Sequence, residues 1–174
     1  MPLASWLKFA ARQLWYDRAE VDRLLGRNWT ARLGLLVGQA ETGSAGEVRL
    51  CIEAALPGTD VMRARRLGVE QVVGDRALSL FSQLRIWDTE RNSGVLLYVL
   101  VSERALEIVA DRGLRAIDAQ DWKQVALGTT ERLRAGQREQ ALAWALEESR
   151  RLLKQTGLAE GGAGNELDDR PVVQ

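Results

Sequence analysis

Asp88, Glu90 and Asn92 place three oxygen-bearing side chains within five positions, in the stretch Trp87-Asp88-Thr89-Glu90-Arg91-Asn92-Ser93-Gly94. Carboxylate and amide oxygens without sulfur or imidazole suit a hard cation, calcium or magnesium, rather than zinc. Asp111 is the expected fourth ligand. It ends a second strand that runs back beside the first, so Asp111-Arg112-Gly113 is expected close to the 88–94 loop. A plainer reading stands next to this one: Asp88 caps a turn, Asn92 forms an Asx turn, and Asp111 pairs with an arginine.

The elements that must position these residues follow from the flanking sequence. Residues 95–101, VLLYVLV, are apolar throughout and rich in β-branched side chains, the pattern of a strand buried on both faces. Ser102-Glu103-Arg104 breaks the run. Residues 105–111 resume it, with Leu106, Ile108 and Ala110 on one face and Glu107, Val109 and Asp111 on the other. A three-residue polar connection predicts an antiparallel hairpin. Upstream, Ala77, Leu78, Phe81, Leu84 and Arg85 fall at helical spacing, so a helix packs one side on the sheet.

The spacing of Leu80-Phe81, Asp88 and Asn92-Ser93-Gly94-Val95-Leu96 is similar to the TPM-domain family, whose members commonly read Asp-Asn-Gly-Val-Leu at the last five positions. Ile108-Val109-Ala110-Asp111-Arg112-Gly113 resembles its short, soluble bacterial branch. So does Asp121-Trp122, followed by Leu133-Arg134-Ala135-Gly136. The resemblance spans roughly residues 46–154. It implies a three-layer α/β/α sandwich with the TPM phosphatase fold and, in some relatives, calcium binding or weak acid-phosphatase activity. Asn92 and Ser93 depart from the family pattern and remove one carboxylate and one amide from the matching loop.

Composition narrows the chemistry. Lys plus Arg and Asp plus Glu both total 24, and no basic run tracks a phosphate backbone, so no nucleic-acid partner is expected. Histidine is absent, which excludes imidazole bases and His–metal sites. The one cysteine, Cys51, has Pro57 where a Cys-x5-Arg loop needs arginine, so it reads as structural. No run of about 18 apolar residues is present, and the N-terminus shows no h-region with a cleavage site. A cytoplasmic location is expected.

In chain order, residues 3–16 predict an amphipathic helix with Leu3, Trp6, Leu7, Ala10 and Leu14 on one face. It packs on its own domain or a partner, or makes weak contact with a membrane surface. Asp17-x-x-Glu20 predicts a capped helix to Leu25, and Asn28 the N-cap of a helix over 29–41. Residues 47–55 alternate as a strand with one partly exposed face. A helical tract over 61–85 is weakened by Gly68 and Gly74, so two pieces are possible. Arg63, Arg65 and Arg66 suggest either an anion site or a solvated face. Helices follow over about 119–135 and 137–155.

The expected organisation is an N-terminal helical extension (1–43), an α/β/α domain (44–156) and a disordered tail (157–174). Its central sheet is small and mixed: a parallel β-α-β unit followed by the antiparallel hairpin. Three functions remain open: a cation-binding or protein-interaction module using the acidic loop edge, with a protein partner that some relatives find at membranes; a weak metal-dependent acid phosphatase; and an assembly module without a ligand site. No cofactor is required by the first or third.

Overall fold

The seven residues of one strand, Gly94–Leu100 (β2), are all buried, and the rest of the chain is layered around it. In the computed structural model, which describes residues 2–44, 46–157 and 165–174, β2 pairs in parallel with Glu47–Glu53 (β1) and antiparallel with Ala105–Ala110 (β3). Val172–Val173 (β4) adds in parallel on the other side of β1, giving the order β3-β2-β1-β4. This is the mixed sheet expected from sequence, with the parallel unit and the hairpin in place.

Helices cover both faces. Trp29–Glu41 (α3), Ala119–Arg134 (α6) and Arg138–Gln155 (α7) close one core, where Trp29, Leu33, Val37, Val125, Leu142 and Leu146 meet Val48, Leu50, Val95 and Leu97. Gly58–Leu67 (α4), Val69–Gln83 (α5) and the first helix, Leu3–Trp15 (α1), close the other around Leu96, Tyr98 and Leu100. Alternation along each strand sends successive side chains to opposite cores. Two covered faces make three layers.

Several local expectations change. The tract over 61–85 divides at Gly68, whose φ of 90° favours glycine, and not at Gly74. In α5 it is Ala77 and Leu80 that are buried, while Leu78 faces outward. β1 has no half-exposed face: only Arg49 is partly exposed, because α4 and α5 cover the side that carries Cys51 and Glu53. Asp17 caps Arg18–Leu25 (α2) as expected, accepting from the Glu20 N–H at 2.9 Å. Asn28 does not cap α3 through its side chain. It takes a left-handed turn at φ 57°, which asparagine tolerates.

α3, assigned from sequence to an extension, supplies Trp29, Leu33, Val37 and Ala40 to the core over β1. Of the tail expected to be disordered over 157–174, residues 158–164 lie outside those described, and 165–174 are seated on the domain. The Gln174 N–H donates to Ile52 O and the Ala54 N–H to Gln174 O, so β1 keeps a partner on that side. A free sheet edge leaves backbone groups unpaired, and the tail satisfies part of one.

Candidate functional site: the acidic loop edge and the outer face of the first helix

Two glycines build the corner where the 88–94 loop meets the end of β3. A Cβ on Gly94 would lie 2.0 Å from Ile86 O, and one on Gly113 would lie 2.2 Å from Arg91 O and 2.5 Å from Asn92 O. Without side chains the two segments close on each other. The Asp111 N–H donates to Gly94 O at 2.9 Å and the Gly113 N–H to Asn92 O at 2.8 Å. The convergence of Asp111 with the loop, argued from antiparallel topology, is therefore a backbone contact. A short 3-10 turn, Arg112–Leu114, leads away from it.

The four side chains named from sequence do not converge equally. Asn92 Oδ1 accepts from the Arg112 guanidinium at 2.9 and 3.2 Å. Asp111 Oδ1 accepts from the Arg112 N–H at 2.6 Å, while its Oδ2 is buried without a partner among the described residues. Asp88 and Glu90 are exposed. The Glu90 backbone N–H donates to Glu166 Oε2 at 2.9 Å. Among the described residues no group of three or more Asp, Glu, Cys or His is placed to hold a metal ion. Arg112, next to Asp111, gives its guanidinium to Asn92 and only its backbone N–H to Asp111.

A second acidic set appears that the sequence did not signal, since its members lie far apart in the chain. Glu47 Oε2 accepts from the Glu166 and Leu167 N–H groups at 3.3 and 3.2 Å. Glu41 Oε1 accepts from the Val48 N–H at 2.6 Å. Burial, with Glu47 and Asp169 as like-charged neighbours, pushes the Glu41 carboxyl up to about 8 despite that N–H. Burial also raises the Glu47 carboxyl. These carboxyl groups anchor the seated tail to β1 and α3.

The nucleophile candidate is closed off. Cys51 is fully buried, and burial together with the neighbouring Glu53 pushes its thiol up to about 12. A thiol is protonated at neutral pH under those conditions and does not attack. Beside it, Glu53 takes two bonds from the Arg76 guanidinium at 3.1 and 2.6 Å and one from the Tyr98 hydroxyl at 2.5 Å. This buried ion pair ties α5 to β1 and leaves its own polar atoms spent. Two of the three basic residues are engaged as well: Arg63 bonds Asp60 and Asp75, and Arg65 lies over the Trp6 ring at 5.5 Å, while Arg66 is exposed.

α1 offers the clearest open surface: of the face that sequence periodicity selected, Trp6 packs on the core and Ala10 is half-buried, while Leu3, Leu7 and Leu14 stay open. Its buried residues are Phe9 and Gln13. Gln13 is a polar group inside the fold because every part of it is used. Its Oε1 accepts from the Leu56 N–H at 2.9 Å and the Ser102 hydroxyl at 2.8 Å, and its Nε2 donates to Glu103 at 2.6 Å. Arg12 adds a bidentate bond to Glu103, and the Trp6 indole N–H donates to Val61 O at 3.2 Å. With the helix so held, Leu3 and Leu7 are exposed, Leu14 is 89% exposed and Trp15 82%. At 100° per residue, Leu3, Leu14, Leu7, Ala11, Ala4 and Trp15 fall within an arc of about 120°, bordered by Lys8.

Comparison with known proteins supports the fold. A family model described as the TPM domain matches residues 23–152. The chain is also similar to the BA42 protein from the psychrophilic bacterium Bizionia argentinensis, solved by NMR. The two share 20% identity and a TM-score of 0.66, over 83% of this chain and 92% of that one. No curated protein matches the chain. The match begins within α2, so α3 falls inside the region the family shares.

Proposed function

The chain belongs to the TPM domain family, and we propose that it acts as a non-catalytic protein-interaction module whose docking face is the outer side of α1. One observation carries this reading: a helix held rigidly by Gln13, Arg12 and Trp6 turns a continuous apolar stripe, ending in Leu14 and Trp15, away from its own domain. Exposed apolar surface contiguous over several turns is a mark of association. An amphipathic helix of this kind lays its apolar face into a groove on a partner. A partner protein fits better than a lipid surface. Arg12 is engaged by Glu103, so Lys8 is the cation bordering the stripe, and a lone cation draws little from anionic lipid.

The test is a photocrosslinker replacing Leu14 in the cell of origin, with Leu7→Glu as control. A discrete adduct to a different protein that disappears with Leu7→Glu supports the reading. An adduct to a second copy of the chain, or co-sedimentation of the purified protein with phosphatidylserine vesicles that Leu7→Glu abolishes, replaces it with self-association or membrane docking.

A second reading rests on Asp111. A buried carboxylate oxygen without a partner among the described residues, at the corner where the neighbouring Arg112 bonds the Asn92 amide, favours a weak divalent-cation site there. Binding there requires the Arg112 guanidinium to leave Asn92. Calcium, then magnesium, is titrated into metal-stripped protein while thermal unfolding is followed. A native-state ligand at a hundredfold excess over Kd adds about 2.7 kcal/mol. A saturable shift lost in Asp88→Asn/Asp111→Asn supports the site. An unchanged midpoint at millimolar cation removes it. That site would also be the starting point for a metal-dependent phosphatase, since water activation would have to come from the cation.

A further inference from the structure

The other edge of the sheet is open, and β3 lies along it. The Asp111 N–H turns inward to Gly94 O, and the Leu106 N–H turns outward to Thr130 Oγ1 at 3.2 Å. In a strand, backbone groups alternate sides. The N–H and C=O groups of Ile108 and Ala110 therefore face away from β2, where no strand among the described residues pairs them. β3 is six residues long, straight in register with β2, and carries neither proline nor lysine. Natural edges are commonly blunted by such residues or by bulges.

The edge is also walled. A groove of about 720 Å³ runs between β3 and α6, lined by Leu106, Ile108, Trp122, Lys123 and Leu127 together with the start of α5. A second, of about 870 Å³, runs between β3 and α5, lined by Leu67, Gly74, Leu78, Val109 and Ala110. Leu67, Leu78 and Leu127 are exposed in them. Trp122 is only 7% exposed, and its indole N–H has no acceptor among the described residues. A buried indole donor ordinarily finds one.

We propose that β3 is a strand-addition slot, occupied by an extended segment of a different protein that carries lysine or arginine opposite Glu107 and Glu70. Backbone pairing to Ile108 and Ala110 supplies the bonds, and the grooves on either side receive alternate side chains, the mode of recognition used wherever a peptide joins a sheet. Charge selects the occupant. Glu70 and Glu107 line both grooves, and neither has an ion-pair partner among the described residues. Lys123 and Arg134 also line the groove against α6, whereas among the described residues no lysine or arginine lines the one against α5, so the basic side chains of the occupant belong on the α5 side. Burial first, then Glu70, raises the Glu107 carboxyl. A second copy docking β3 against β3 would set these glutamates against their equivalents, an unfavourable juxtaposition. The same glutamates that bar self-pairing admit a basic strand.

The slot and the α1 face are separable, since neither uses residues of the other. The test is amide hydrogen exchange by NMR with two synthetic nine-residue peptides, one alternating lysine with valine and one alternating glutamate with valine. The basic peptide should slow exchange at Ile108 and Ala110 by about tenfold or more, and leave the already paired Val109 amide unchanged. Glu70→Gln/Glu107→Gln, which keeps the shape of both side chains, should remove the effect, while Leu7→Glu on α1 should preserve it. No slowing at saturating basic peptide overturns the proposal. Equal slowing by both peptides, or protection of these amides by concentration-dependent dimerisation without peptide, also overturns it.

Discussion

Two sets of residues carry more of this fold than their size suggests. Gly94 and Gly113 let two backbones pass at a separation that a methyl group would close, since a Cβ at either position would meet a carbonyl oxygen at 2.0 or 2.2 Å. Gly94→Ala and Gly113→Ala should each cost at least about 1–3 kcal/mol, the usual penalty for overpacking. Denaturant unfolding should show a lower midpoint at unchanged slope. The buried Glu53–Arg76–Tyr98 group is the other case. Arg76→Ala leaves a buried carboxylate uncompensated, an effect of about 3–5 kcal/mol. Tyr98→Phe, which removes one bond and no charge, should cost about 1–2 kcal/mol. A larger loss for Tyr98→Phe than for Arg76→Ala would contradict this ordering.

At the scale of elements, α1 is held by polar anchors and not by its leucines. Gln13 bridges the connection after β1, through Leu56, to the β2–β3 turn, through Ser102 and Glu103. Gln13→Ala strands the Leu56 N–H and the Ser102 hydroxyl in a buried place, for about 1–3 kcal/mol. The readout is local: amides of α1 should exchange faster while those of β2 stay protected. Global destabilisation with no preferential opening of α1 would mean that the helix is integral to the cooperative core.

For the molecule as a whole, the seated tail couples stability to pH. Glu41 holds its proton in the folded chain up to about pH 8, where an ordinary glutamate has lost it near 4.5. Between those values the folded state binds more protons than the unfolded state, so stability present below about pH 4.5 falls as pH rises towards 8. Glu47 shifts in the same direction. Glu41→Gln should flatten this decline in thermal midpoints measured from pH 5 to 8.5. Removing residues 165–174 should flatten it too, because Asp169 leaves with them. An unchanged slope in both variants would show that the tail and Glu41 are not linked.

Most of the layered architecture was legible in the sequence because its signals are local. The unbroken apolar run at 95–101 and the polar break at 102–104 specify a central strand and a hairpin without reference to anything distant, while Gly68 and Gly74 both offered a helix boundary and the fold uses the first. The loop corner was half legible: antiparallel pairing brings Asp111 to Gly94 at the end of the loop, but only the folded chain shows Arg112 occupying the Asn92 amide and Asp88 and Glu90 turned to solvent. Periodicity also marks which helix faces are apolar without saying which are covered. In α1 a glutamine and a phenylalanine face inward and the leucine stripe faces out, because the two donors that Gln13 satisfies lie 43 and 89 residues away and its acceptor 90. The tail's place on β1 was likewise a tertiary decision, made by Glu47 and by backbone groups at the sheet edge that no local pattern records. Local hydrophobic order chose the elements; long-range hydrogen bonding between buried polar groups chose which surfaces stayed open.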